Sequence, residues 1–302
     1  MPPPRDHIDS FGFVALVGFS LLLGFNQVVI SVVNGGLQPV FSAGLRSGVA
    51  ALLIAGWMRY RGIPAAIPRH VVPWALFMGL VFGAEFLCLF IALDLTTVSR
   101  TSVIFYTMPI WASLGAHFLI PGDRMTAPKA VGLVLALAGV SWVIANRPSS
   151  GEASLAGDVI ALAGSFGWAG IALIVRGTPV RSVPLETQLL WQLALSGPLL
   201  LVAALFFGPF LRDLAPLHMA GMAFQIVVVA SGGYLLWLWL MARYPPSGVV
   251  SFSFLSPVFG AGFGWLLLGE DLGAGILGPL ALVAAGLYLI NRPPRRQVPQ
   301  KV

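Results

Sequence analysis

The sequence predicts an all-α, polytopic membrane protein of ten transmembrane helices arranged as two inverted five-helix repeats. Three observations predict it. The chain carries too little charge to face water, its apolar stretches recur at membrane-spanning length, and its second half repeats the first in the same order.

Of 302 residues, 58% are hydrophobic and only 9% are charged, with a mean hydropathy of +0.90. Soluble domains carry roughly 25% charge because their surfaces must be hydrated. A surface this poor in charge must face lipid. The net charge of +6 sits in short loops and tails with no aromatic residues interleaved, which reads as orientation charge and contact with anionic headgroups rather than nucleic-acid binding. Cys88 is the only cysteine, so no intrachain disulfide forms, and His7, His70, His117 and His218 show no metal-ligand spacing. No metal or cofactor is expected. No GxSxG elbow and no pair of deep carboxylates is present, which argues against an enzyme.

The apolar runs are Phe11–Val33, Pro39–Met58, Val71–Leu93, Ser99–Ile120, Pro128–Ala145, Gly157–Val175, Thr187–Phe210, His218–Met241, Gly248–Leu268 and Gly273–Ile290. Each approaches the roughly 17–25 residues needed to cross the hydrocarbon core. Helix 1 reads as its own uncleaved signal. With the N-terminus placed in the cytoplasm, thirteen of the 17 Arg and Lys residues fall in cytoplasmic loops and tails. Arg100, Arg147 and Arg212 fall outside, and Arg46 lies within helix 2. This is the positive-inside asymmetry. Both termini are then cytoplasmic, in what composition suggests is a bacterial inner (plasma) membrane.

The segment from Thr101 to Pro109 aligns with that from Val249 to Pro257 at an offset of 148 residues, which also superposes Ser99 on Ser247 and Asp123 on Asp271. VIANRP at the end of helix 5 answers LINRP at the end of helix 10, and Arg46 falls opposite Gln192. The implied repeats are residues 1–147 and 148–302. Because each holds an odd number of helices, the second must insert upside down, which places a site between the halves that either side of the membrane can reach.

Several polar or aromatic residues lie inside the spans. Glu85 is near the middle of helix 3, where an ionisable group costs about 2.5–3.5 kcal/mol to insert. It reads as a substrate-ammonium ligand or proton site, or as half of a structural ion pair with Arg46. Arg46 and its repeat mate Gln192 read as structural. Asn26 in helix 1 is a candidate substrate contact, with interhelical hydrogen bonding as its alternative. Ser102, Tyr106 and Pro109 share one face of helix 4, and Ser253 and Phe254 precede Pro257 in the matching place of helix 9. The two prolines each remove a backbone hydrogen bond and kink their helices, for gating or to shape a cavity. Trp168, Tyr234 and Trp237 can stack on a substrate or pack against neighbours.

FSAGLRSGVAALLIAGWMR in helix 2 resembles the second helix of the drug/metabolite transporter superfamily, EamA branch. The stretches from ALDLTT to SWVIA and from PPSGVV to GLYLI resemble that family's helix 4–5 block and its second copy. The first copy departs at IPGDR, where the family usually carries a glutamate; the second keeps Glu270. AEFLCLFIAL, VSWVIA and GSFGWAGIALIV are similar to YddG-type exporters of aromatic amino acids. The resemblance implies ten helices, a cavity lined mainly by helices 1, 3, 4, 6, 8 and 9, and export of small metabolites. The expected partners are a small-molecule substrate (an amino acid or related metabolite) and the lipid bilayer, with the chain acting as a monomer. Exporters of other metabolites or drug-like cations, and a channel-like pore, stay open as alternatives.

Overall fold

The computed structural model describes residues 8–146, 153–244, 249 and 252–291, without the side chains of Ser253 and Asn291. Its described residues are helical and loop, with one isolated β-bridge, Leu37 to Leu211. Span 1 is α1 (Ser10–Gly36), span 2 is α2 (Pro39–Arg61) and span 3 is α3 (Val72–Leu95). Span 4 is broken into α4 (Val98–Phe105) and α5 (Met108–Leu119), and span 5 is α6 (Ala127–Ala145). The second repeat follows with α7 (Leu155–Gly177) as span 6 and α8 (Leu185–Ala204) as span 7. Span 8 comprises α9 (Pro216–Phe224), a π-helical segment (Gln225–Gly233) and α10 (Tyr234–Arg243). Span 9 holds a 3₁₀ turn (Phe252–Phe254) and α11 (Leu255–Leu268), and span 10 is α12 (Ala274–Asn291). Spans 1 to 8 are each long and apolar enough to cross a membrane, and the last two are shorter apolar helices.

The pairing of spans carries the repeat. Spans 5 and 10 pack together, as do 2 and 7, and 4 with 9. Span 3 packs on 6 as span 8 packs on 1, span 1 on 9 as 6 on 4, and span 3 on 7 as 8 on 2. Exchanging each span for the one five places later maps this pattern onto itself. Five spans per repeat is an odd number, so the halves run in opposite senses.

Without a hydrophobic drive between helices in lipid, close approach rests on small residues. A Cβ on Gly132 would stand 2.6 Å from the Gly286 carbonyl oxygen, and one on Gly286 would stand equally deep against Gly132. A Cβ on Gly197 would stand 2.8 Å from the Gly48 Cα, an approach made from the Gly197 side alone. These contacts close the 5–10 and 2–7 seams.

Span 4 breaks where its proline requires. Pro109 is the second residue of α5, and Thr107 N–H turns to the Ile104 carbonyl at 3.2 Å instead of continuing the α-helical ladder. The 3₁₀ turn before Pro257 in span 9 is the corresponding break. The largest boundary shift is in helix 7, which ends at Ala204 rather than Phe210, and Arg100, counted with the outside charges although within the Ser99–Ile120 run, lies buried in α4. Thr97 starts α4 early by accepting the Arg100 N–H at 3.3 Å.

Candidate functional site

Alternation of the spans gives the bundle two loop faces. The near face carries Asp9, Arg61, Asp123, Arg176 and Arg243; the far face carries Asn34, Asp94, Asn146, Arg212 and Glu270. A cavity of about 470 Å³ runs from the near face into the bundle between the repeats. That size falls in the usual range for small-molecule sites. Its wall draws on spans 1 to 4, 6, 8 and 9, with Lys129 of span 5 and Ile290 of span 10 at the near-face end, and none of the far-face residues named here reaches it.

The wall is mainly aromatic and aliphatic, with its polar atoms set deep. Asn26, Glu85, Tyr106, Trp168 and Tyr234 line it together, as do Pro109 and Trp237. Phe105 stacks on Trp168 with centroids 5.3 Å apart, and Tyr106 meets the same indole edge-on at 6.0 Å. Tyr234 follows the π-helical segment directly, and the Ser231 hydroxyl donates to the Ile226 carbonyl five residues back at 2.8 Å. π-bulges recur at functional sites because they re-aim the side chains that follow.

Other residues expected at the site stand off the wall. The Ser102 hydroxyl donates to Gln27 Oε1 at 2.5 Å, wedged where a Cβ on Gly260 would come within 2.8 Å of its own Cβ. It therefore joins spans 1, 4 and 9. Phe254 packs edge-on against Tyr288 at 6.5 Å, and Pro257 is buried in α11. The side chain of Ser253 lies outside the described residues. Gln192 is half-buried and donates to the Gln188 carbonyl at 3.3 Å.

Arg46 is the residue whose surroundings the sequence hid. It is 1% exposed yet lines the cavity, with Cζ 3.9 Å above the Phe86 ring centroid and 5.3 Å from Phe90. Its Nε and Nη2 have no hydrogen-bond partner, and neither has Glu85 Oε2 or Asn26 Oδ1. Glu85, 4% exposed, rests against Gly167 of span 6, where a Cβ would stand 3.2 Å from the Glu85 Cβ. The Arg46 and Glu85 side chains share one cavity without forming an ion pair. Phe86 and Leu89 join the wall without a sequence signal. The single cue for Arg46 was a charge inside an apolar span, and that cue is equally met by snorkelling.

The far face is closed by contacts that cross from one repeat to the other. Arg100 donates from Nε to Asp158 Oδ1 at 3.1 Å and from Nη2 to Oδ2 at 2.5 Å, and adds bonds to the Val143 and Asn146 carbonyls. The Thr96 hydroxyl donates to the same carboxylate at 3.1 Å. Gly269, left-handed at φ +70°, ends α11 and turns the chain back. Glu270 there accepts the Val98 N–H at 2.6 Å and the Ser99 N–H at 2.7 Å, and also bonds the Ser99 hydroxyl. A carboxylate thus caps the N-terminus of α4, where orphan N–H groups and the helix dipole favour negative charge. Arg212 forks onto Asp94 at 2.6 and 2.9 Å and donates to the Asn34 carbonyl at 2.8 Å. The hydrogen bonds to Asp94 hold the Arg212 guanidinium above its ordinary pKa. Gln38 adds bonds from Nε2 to the Ala204 and Gly208 carbonyls.

The near face is rimmed more loosely. Asp123 pairs with Lys129 at 2.9 Å and with Arg176, all three lining the cavity mouth, and the Arg176 side chain is 50% exposed. Hydrogen bonds from Arg176 and then Lys129 hold the Asp123 carboxyl below the usual carboxylate range.

An all-helical bundle of ten spans, built from inverted repeats around a deep cavity, defines the class of small-molecule membrane transporters. The chain belongs to the EamA-like transporter family, matching it twice, over residues 10–145 and 155–292. It is 21% identical over 279 residues to the uncharacterized transporter YoaV of Bacillus subtilis, covering 91% of this chain and 95% of that one. It is 25% identical to the uncharacterized transporter YvbV of the same organism, covering 86% and 84%. It is 26% identical to a chloroplastic WAT1-related protein of Arabidopsis thaliana, covering 84% of this chain and 63% of that one. A crystal structure at 19% identity shares the fold, with a TM-score of 0.66 over 96% of this chain and 99% of its own.

Proposed function

We propose that this transporter exports small amphipathic metabolites, hydrophobic and aromatic amino acids foremost, from the cytoplasm by alternating access. One observation carries the reading: a cavity between inverted repeats opens at one face while contacts between the repeats close the other. The near face is the cytoplasmic one on the Arg/Lys distribution, which makes both termini cytoplasmic and the state described inward-open, and the excess of arginine over lysine supports a bacterial inner membrane as its setting. The repeats, residues 1–147 and 148–302, rock against each other about the fixed site, and one chain suffices. The aromatic wall suits an apolar side chain. Polyanionic substrates would require a cluster of buried cations, and Arg46 is the single Arg or Lys lining the deep part of the cavity among the described residues.

Counterflow in proteoliposomes tests this. Vesicles preloaded with unlabelled phenylalanine will take up labelled phenylalanine faster than empty ones if the protein is a carrier. Equal rates, as a channel gives, would refute alternating access.

A further inference from the structure

Three buried polar features stand out among the described residues. The Arg100–Asp158 pair is saturated with hydrogen bonds and leaves nothing to bind. Gln225 is fully enclosed with both amide atoms unpartnered, but it does not line the cavity. Arg46 and Glu85 differ from both. Each is at least nine-tenths buried, each keeps unpartnered polar atoms, and both line the same cavity.

A charge taken out of water costs several kcal/mol unless it is paired and hydrogen-bonded. In this structure the cation-π contact with Phe86 offsets only part of that cost for Arg46, and Glu85 Oε2 has no partner to offset its own. A ligand carrying one negative and one positive group would satisfy both at once. We propose that Arg46 and Glu85 form a two-point receptor for a zwitterionic α-amino acid. The Arg46 guanidinium takes the carboxylate, and the Glu85 carboxylate takes the ammonium. The side chain of the ligand then lies against Phe105, Tyr106, Trp168 and Tyr234. This deepens the exporter reading and rests on it. It makes Arg46 a specificity residue rather than a structural one, and its repeat mate Gln192, bonded within its own helix, has no such role. The site is thus asymmetric although the fold is not.

Isothermal titration calorimetry on the purified full chain, with phenylalanine, phenethylamine and hydrocinnamate at pH 7, reads the two charges separately. The wild type is expected to bind phenylalanine at least about tenfold more tightly than either single-charge analogue, since each charge-assisted bond contributes about 1.5–3 kcal/mol. Arg46→Gln should lower phenylalanine to the level of phenethylamine and leave phenethylamine unweakened. Glu85→Gln should lower phenylalanine to the level of hydrocinnamate and leave hydrocinnamate unweakened. Arg46→Lys, which keeps the charge, should retain the preference for phenylalanine over phenethylamine. Equal wild-type affinity for phenylalanine and either analogue overturns the receptor while counterflow still supports the carrier, and this holds even where a variant fails to fold. Uniform weakening of all three ligands in both variants also overturns it, because the two charges would then only support the wall. No binding of any of the three, together with no counterflow of phenylalanine, removes the exporter reading as well.

Discussion

The two loop faces of the bundle use the same chemistry at different depths. At the far face, Arg100 and Asp158 are 1% and 0% exposed, and their ion pair joins one repeat to the other, as do the Glu270 and Arg212 contacts. At the near face, Asp123 shares two cations at a solvated rim, with Arg176 half exposed. Ion pairs at exposed sites contribute about 0–1 kcal/mol. Breaking a buried pair by removing one partner costs about 3–5 kcal/mol. The difference teaches that closing a face here depends on burying its charges between the repeats, not on how many charges it carries. The turn motifs reinforce the point. Gly269-Glu270 and Gly122-Asp123 occupy matching turns, both glycines with positive φ. Glu270 reaches a helix N-terminus in the other repeat, whereas Asp123 holds only side chains at the mouth.

The contrast breaks most visibly at Arg100. Arg100→Leu leaves the Asp158 carboxylate buried and unpaired and should cost about 3–5 kcal/mol, read as a large fall in Tm in detergent or as loss of folded protein. The double variant Arg100→Leu/Asp158→Leu sharpens it, because removing both charges should recover most of that loss. A single variant as stable as the wild type would show that the pair does not hold the face. Next in size is Glu270→Gln, which keeps the oxygen acceptor but removes the charge from the α4 N-terminus. Loss of a helix cap costs about 0.5–2 kcal/mol, and a cysteine introduced at Val98 should become more reactive to a maleimide as the face loosens. Unchanged reactivity would separate Glu270 from closure. The smallest effect belongs to Asp123→Asn, at most about 1 kcal/mol and diminished by salt. The pH dependence of this contact has a defined sign. The folded Asp123 carboxyl lies below its unfolded value near 3.9, so its contribution is present above that pH and is lost as pH falls through the folded value. Near-face pairing should therefore be flat from pH 5 to 8, and a loss of stability there that Asp123→Asn abolishes would contradict it.

Much of this was written in the sequence. Ten apolar runs, an odd number per repeat, and the prolines at 109 and 257 were legible because lipid forces length and hydropathy on each span. Asn26, Glu85, Tyr106, Trp168 and Tyr234 were legible because polar and aromatic groups in mid-span need a reason. What the pattern could not convey was pairing across the chain. Arg100 reads as a loop charge beside Thr97, and nothing local links it to Asp158, 58 residues on, in the first turn of α7. Ser102 shares a helical face with Tyr106, yet the close approach of Gly260 turns it into a packing contact. Arg46 and Gln192 align as repeat mates, and only their neighbours distinguish a cavity cation from a helix-bound amide. The π-helical segment before Tyr234 likewise has no periodicity signature.

The central claim is a cavity open toward the cytoplasm and closed toward the outside. In a Cys88→Ala background, single cysteines replacing Arg124, Ala172 and Asp213 can be labelled with a membrane-impermeant maleimide in inside-out and right-side-out vesicles. Without substrate, the cavity position 172 should react with 124 from the cytoplasmic side and at least about tenfold more slowly from the side that labels 213. Faster labelling of 172 from the side that labels 213 would contradict the account.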